Sequence, residues 1–350
     1  MNINELGKNE LLLTEKIKQI LPALEIKKVQ KETALAGRKV DLFFIGKLKD
    51  KEYKFICEIK TSASPSHLFP VIMMLKQAAE ETKGYPVIIA PYVSQRSAEL
   101  CRKNGVGFID LGGNVFFSFD NILIDRRVKD RVSLEKKEIA EIFTPRATRV
   151  IRVLLEGKKE KWLITELAEE ANLSISYTSE VLNALIKQGY GERQKRKGFY
   201  LKEKSALLDR WASVYNFSKN RIIKLYAFEK NFSNLFAKIN TVADLLKSKC
   251  ALTLLSAASM VAPYIARFSD IYLYVEGNIE QWKEKLDLRE VEAGANFYLV
   301  VPYDEGVFYA LRQVKGALTV GNIQLYLDLI KYPARGKEQA EYLRTQLIKF

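Results

Sequence analysis

Histidine and cysteine are nearly missing from this chain, and with them goes much of the usual chemistry of metal centres and covalent catalysis. One histidine, His67, in 350 residues excludes a zinc site built from several imidazoles. The three cysteines, Cys57, Cys101 and Cys250, are far apart and form no Cys-x-x-Cys pair, so they read as free thiols in a reducing cytosol. No apolar run approaches the roughly 20 residues that span a bilayer. The opening Met-Asn-Ile-Asn-Glu-Leu-Gly-Lys lacks a secretory signal, so the expectation is a cytoplasmic chain with no membrane partner. Low-complexity tracts and internal repeats are absent. Acidic residues are the minority, 42 Asp and Glu against 56 Lys and Arg, which leaves a formal charge of +14. Such an excess favours a polyanionic partner, most often nucleic acid. The plainer alternative is a basic, solvated surface with no specific partner.

The chain does have apolar residues in quantity. A hydrophobic content of 48% and a length of 350 residues support two or three real cores. The stretch from Trp162 to Leu201 organises the rest. Leu163, Leu167, Ala168 and Ala171 recur at helical spacing, which predicts a short helix over about 164–171. Asn172 tolerates a left-handed turn, Ser174 or Ser176 can cap a second helix, and Val181, Leu182, Leu185 and Ile186 form its apolar face. Gly189 ends it, and two short strands follow around a basic tip. Upstream, Thr144 and Pro145 open a helix with Val150, Ile151, Val153, Leu154 and Leu155 on its core side.

Two helices joined by a tight turn, then a basic hairpin, resemble a winged helix-turn-helix, in which the second helix enters the major groove of double-stranded DNA. Its exposed face would offer Ser176, Tyr177, Thr178, Ser179 and Asn183 to base edges, with Lys187 further along. Arg193, Lys195, Arg196 and Lys197 in the wing would contact phosphate. A helical hairpin used for protein contacts is the plainer reading.

In the first third, an amphipathic helix before Pro22 precedes three extended segments, 25–29, 39–45 and 53–60, expected as an antiparallel meander. A helix over about 68–83, a strand over 87–90, a helix over 95–104 and two further short strands follow. Asp41 lies near the start of the second strand and Glu58-Ile59-Lys60 ends the third, where Glu58 and Lys60 share one face. Two carboxylates on neighbouring strands can hold a hard cation such as Mg2+, and a lysine beside them can orient or help deprotonate a metal-bound water. An exposed, salt-bridged strand face is the competing explanation.

This order of helix, strand, Asp, strand, Glu-x-Lys, helix and strand resembles the PD-(D/E)XK nuclease family, the restriction-endonuclease-like fold, over about residues 5–125. The resemblance assigns Asp41 and Glu58 to metal binding, Lys60 to catalysis and Gln77 to a glutamine near the site in some branches. Glu10 or Glu15 would match the acidic residue of the first helix, and Val40 stands where the motif has proline. Gly105 to Asn114 is similar to a Gly-Ile-x-x-x-Asp-x-x-Gly-Asn segment of bacterial proteins that join this fold to a winged helix, although a structural turn explains its individual residues.

The C-terminal half reads as a helix over 207–215, followed by 221–228, and then helices over 240–249 and through the apolar run 251–262. Strands over 271–275 and 296–301 flank a helix over 280–286, and a last helix pair covers 322–331 and 337–349. Thr319 to Leu329, Pro333 to Ala340 and Ala251 to Pro263 resemble the AbiEi antitoxin family. That resemblance, over about residues 145–350, implies a winged helix joined to a C-terminal domain, repression of the chain's own operon and opposition to a nucleotidyltransferase-type toxin. A nuclease-like N-terminal domain is an addition to the usual antitoxin.

The expected architecture is therefore α+β and multidomain. A nuclease-like domain over 1–125 and a charged linker over 126–143 precede a winged helix-turn-helix over 144–203 and a C-terminal α/β domain over 204–350. The expected function is DNA-binding regulation; the alternative is a Mg-dependent endonuclease targeted by the winged helix. Expected partners are double-stranded DNA and a toxin protein, and palindromic operators favour a homodimer. Mg2+ enters only if the nuclease site is active.

Overall fold

A computed structural model describes residues 10–35, 37–128, 142–157, 159–194, 198–229, 231–265, 268–333 and 335–350. The chain forms two compact units, one of residues 1–140 with 184–189, the other of residues 141–183 and 190–350.

In the first unit, α1 (Glu10–Ile20) leads into β1 (Leu24–Leu35), β2 (Arg38–Leu48) and β3 (Lys51–Ile59). These pair antiparallel, as the meander reading expects. Helix α2 (Pro65–Thr82) carries the chain to β4 (Tyr85–Ala90), and α3 (Gln95–Lys103) to β5 (Gly107–Asp110). The β3–β4 and β4–β5 pairings are parallel. Antiparallel β6 (Val115–Phe119) and β7 (Ile122–Arg126) complete a seven-stranded sheet in sequential order. Two successive right-handed crossovers in one direction place both helices on one side of a sheet. Accordingly Leu68, Ile72 and Leu75 of α2 and Ala98 of α3 pack with Phe43, Ile56 and Ile88. Ile17 and Ile20 of α1 pack with Phe44, Phe55 and Val87.

The second unit begins with α4 (Pro145–Glu156), α5 (Ile164–Glu170) and α6 (Ile175–Lys187) as far as residue 183, and resumes with the hairpin β8 (Gly191–Gln194) and β9 (Gly198–Leu201). Thr144 caps α4 through its hydroxyl, which accepts from Ala147 N at 3.2 Å, and Pro145 fills the first position. Asn172 adopts the left-handed conformation at φ 51°, and Ser174 accepts from Tyr177 N at 3.3 Å. Trp162 adds a third short strand position by exchanging backbone bonds of 2.8 Å with Phe199. That approach requires Gly198, whose φ is +86° and where a Cβ would sit 2.5 Å from the Trp162 carbonyl oxygen.

Then come α7 (Lys204–Val214), β10 (Arg221–Ala227), α8 (Phe232–Leu246), β11 (Cys250–Thr253) and α9 (Leu254–Val261). They are followed by β12 (Ile271–Val275), α10 (Ile279–Leu286), β13 (Leu288–Glu290) and β14 (Phe297–Val301). The chain closes with β15 (Arg312–Val314), β16 (Ala317–Thr319), α11 (Asn322–Leu329) and α12 (Gly336–Leu343). The sheet order is β13-β10-β14-β12-β11-β16-β15, with β12–β14 and β11–β16 parallel. Residues 251–253, read from sequence as the start of a helix, form the buried strand β11. A continuous apolar run has the same pattern in a buried strand and a buried helix, and here Leu254, at φ 53°, turns one into the other. The protein is α+β and multidomain.

Candidate functional site

Two groups of residues in the first unit carry polar chemistry. Leu42 pairs with Cys57, which sets Asp41 across from Glu58 at the end of the β2–β3 ladder. Lys60 Nζ lies 2.5 Å from Glu58 Oε2 and 3.7 Å from Asp41 Oδ2. Asp41 Oδ2 also accepts from Ile59 N at 2.8 Å, which fixes the carboxylate against the strand. Glu58 is only 4% exposed, whereas the side chains of Asp41 and Lys60 keep 42% and 31% of their accessibility. Burial pushes the Glu58 carboxyl up; the bond from Lys60 opposes that, and the Asp41 carboxyl adds to it. The three residues therefore form one group with a buried carboxyl, an accessible carboxylate and a cation between them. Gln77 does not join it: it is exposed on α2, on the opposite side of the helix from the buried Leu68. Residue 15 is also exposed, and the side chain of residue 10 is outside the described residues.

Asp110 is the second group, fully buried. Its oxygens accept from the backbone of Gly112, Asn114 and Val93 and from Asn114 Nδ2, at 2.7–3.2 Å. The bonds from Gly112 and Asn114 shape the Gly112-Gly113-Asn114 turn, with Gly113 at φ +95°, and the bond from Val93 ties the turn to the segment after β4, so the segment is structural. The three cysteines are free and buried, and burial pushes Cys101 and Cys250 up to about 12.

Ser176, Asn183 and Lys187 are exposed along one stripe of α6, and Arg193 is exposed on β8. Glu180 is exposed on the same stripe, so the surface is not uniformly basic. Tyr177 is half-buried; its hydroxyl lies 3.1 Å from Thr144 Oγ1 and the Arg146 guanidinium sits 4.9 Å from its ring centre. Thr178, expected on the exposed face, is instead fully buried, and its hydroxyl has no hydrogen-bond partner. It stands three residues before Val181 and four before Leu182, which places it on the apolar side of the helix. Lys195, Arg196 and Lys197 lie outside the described residues.

The sequence reading missed a polar stripe on α4. Arg149, Arg152 and Glu156 follow one face at spacings of three and four, between positions read only as core. Arg149 forms a forked pair with Asp304, with bonds of 2.7–3.1 Å, and reaches Glu305 at 2.6 Å. Arg152, 1% exposed, donates to Gln324 Oε1 at 2.7 and 3.0 Å and lies 4.9 Å from the Trp211 ring centre. Gln324 Nε2 passes the chain on to Asp328 Oδ1 at 2.7 Å. Asp328 also accepts from Tyr215 OH at 2.6 Å and Thr253 Oγ1 at 2.5 Å. Glu156 accepts from Ile323 N at 2.5 Å, at the start of α11. The signal is present in sequence as an i, i+3, i+7 polar series whose intervening positions 150, 151, 153, 154 and 155 are all apolar.

A helix–turn–helix segment with a strand-paired hairpin, tied to a mixed-sheet domain, defines the second unit; the first is a helix-flanked sheet with an Asp–Glu–Lys group. Residues 200–349 match the family model described as transcriptional regulator, AbiEi antitoxin, type IV TA system, so this part of the chain is similar to that family. Among solved structures, the chain is similar to one titled "Structure of EndoMS in apo form", at 19% identity and a TM-score of 0.22. That match covers 29% of this chain and 45% of the other, so the chain spans less than half of that protein's length. No curated protein matches. Among the described residues no helix is long and apolar enough to cross a membrane, and no group of three or more His, Cys, Asp or Glu side chains could hold a metal ion.

Proposed function

We propose that this protein is a DNA-binding transcriptional regulator of the antitoxin type. The observation that carries the reading is the AbiEi-like segment over 200–349, joined without a break to three helices and a hairpin built like a winged helix. Ser176, Asn183 and Lys187 are the exposed side chains of α6 that would meet a major groove, and Arg193 is exposed on β8, ahead of the sequence run Lys195-Arg196-Lys197. Tyr177 braces α6 against the start of α4 and presents Arg146 beside it, while Thr178 belongs to the core. A toxin protein is the second partner, and a homodimer on a palindromic operator is the assembly.

The test is fluorescence anisotropy on a labelled 30-base-pair duplex across a salt series. Lys187→Gln with Arg193→Gln removes two phosphate contacts. It should weaken binding to every duplex and lower the slope of log K against log salt by about 1.8. Asn183→Ala should change sequence preference and leave that slope alone. An unchanged slope in the double variant refutes the wing and helix assignment.

The convergence of Asp41, Glu58 and Lys60 favours a second reading, a Mg-dependent endonuclease. Two carboxylates side by side fit Mg2+, which accepts one or two protein carboxylates and fills its other positions with water and phosphate oxygens. Asp41 and Glu58 would hold the ion, and bound Mg2+ would supply a polarised phosphate and an acidified water. Lys60 would hold both carboxylates in place and stand ready to donate a hydrogen bond toward a phosphodiester oxygen. Calorimetric Mg2+ titration and plasmid cutting, on wild type and Glu58→Ala, decide it. Cutting and binding that vanish together in the variant support the nuclease; cutting that survives Glu58→Ala or Asp41→Ala defeats it.

A further inference from the structure

Half of one face of the second sheet is open, and its composition is unusual. The pairings Tyr226–Arg289, Lys224–Tyr298 and Tyr272–Tyr298 put these side chains on one face, with Ile222 beside them. Their chain neighbours Leu225, Ala227, Phe297, Leu299, Ile271 and Leu273 point the other way and are all buried. Lys224 and Arg289 are exposed, Tyr226, Tyr272 and Tyr298 half-exposed, and Phe228, which continues the alternation past β10, is 55% exposed.

The aromatic rings form a row. Tyr272 and Tyr298 stack at 4.3 Å between centroids, nearly parallel at 4°. Tyr226 meets Phe228 edge-on at 5.1 Å, and the Arg289 guanidinium lies 5.2 Å from the Phe228 ring centre. Cations are interleaved: Lys224 sits between the two aromatic pairs and Arg289 caps one end. Among the described residues neither of these two cations is in an ion pair. At the tyrosine end, burial raises the Tyr272 and Tyr298 hydroxyls, and the Asp270 carboxylate adds to it. A surface kept for solubility would pair or scatter its charges and would not place four aromatic rings on one strip.

We propose that this face binds single-stranded nucleic acid. An open sheet face with aromatic rings alternating with unpaired cations matches both halves of such a ligand: bases stack on rings, and phosphates meet the cations. Double-stranded DNA does not fit the same chemistry, because its bases are already stacked on one another. Phe228 and Tyr298 are the stacking residues, and Lys224 and Arg289 the phosphate contacts. This surface is separate from α6 and the wing, so the proposal does not depend on the duplex reading.

The experiment is anisotropy on the full chain with fluorescein-labelled dT20 and U20, at low salt and then over a salt series. Wild type should bind at least one of the two, and Phe228→Ala should weaken that binding roughly tenfold, the loss of one base–ring stack. Lys224→Gln with Arg289→Gln should lower the salt slope by about 1.4, the value for two contacts to a single strand. All of these side chains are exposed, and Phe228→Leu, which keeps apolar bulk but removes the flat ring, should fail as Phe228→Ala does. Lys187→Gln with Arg193→Gln should leave oligonucleotide binding intact. Three results each overturn the proposal: no binding of either oligomer at low salt, binding indifferent to the sheet variants, or binding lost with the Lys187 and Arg193 pair.

Discussion

Asp328 gives the most exposed point of attack on the reasoning about the second unit. It is fully inside the protein, and its carboxylate accepts from Thr253, Tyr215, Gln324 and Tyr274. Burial pushes it up from 3.8 to about 6 against the pull of those four donors. A carboxyl raised on folding takes up its proton earlier in the folded state than in the unfolded one. Between about 3.8 and 6 the folded state therefore holds more protons, and stability falls as pH rises through that window. At about 1.4 kcal/mol per pH unit, the interval amounts to roughly 3 kcal/mol. Asp328→Asn keeps the size and one acceptor oxygen but cannot ionise. The difference in unfolding free energy between variant and wild type should move by about 2.4 kcal/mol in the variant's favour from about pH 4 to about pH 7.5. Other raised carboxyls, Glu58 and Glu156, are present in both proteins and cancel. The assay is urea unfolding followed by tryptophan fluorescence. Trp162, Trp211 and Trp282 all belong to the second unit, so the signal reports that unit alone. A difference that stays constant across this range refutes the account of Asp328 as a buried ionisable group.

Other substitutions test neighbouring claims. Arg149→Ala leaves the Asp304 carboxylate, 4% exposed, without its cation, and should cost about 3 kcal/mol in the same urea assay. Thr178→Val removes a buried hydroxyl that bonds to nothing; it should be neutral or stabilising by about 1 kcal/mol and leave duplex binding unchanged. Gly198→Ala forces a side chain against the Trp162 carbonyl at positive φ; it should lower the thermal midpoint of the second unit, at a cost of about 1–3 kcal/mol.

Much of the fold was legible because its signals are local. The β1–β2–β3 meander follows from alternation between turn residues, and the Thr144-Pro145 start of α4 from capping chemistry alone. The strand pattern also carried Asp41, Glu58 and Lys60, since residues on opposed ends of a hairpin meet by register. Long-range features were not legible. Thr178 looks like a surface residue by type, and only the phase of α6 against its core buries it. Arg152 looks like a solvated cation, yet its partner Gln324 is 172 positions away. Sequence gives no separation-independent clue to such a pair. Nor does composition reveal that Tyr226, Arg289 and Tyr298 share a face, because β13, β10 and β14 are neighbours in space only through a non-sequential strand order.

The polar stripe on α4 also constrains how this protein can be taken apart or recombined. Arg149, Arg152 and Glu156 each find their partner in the domain that follows the hairpin, so α4 serves two cores at once. A fragment ending after the hairpin would carry a buried arginine into water and leave Gln324 and Asp304 stranded in the other piece. Ser176 and Asn183 can change freely, because neither takes part in that joint. Exchange of the whole segment of three helices and hairpin between similar chains, by contrast, succeeds only when the incoming first helix brings the same three side chains.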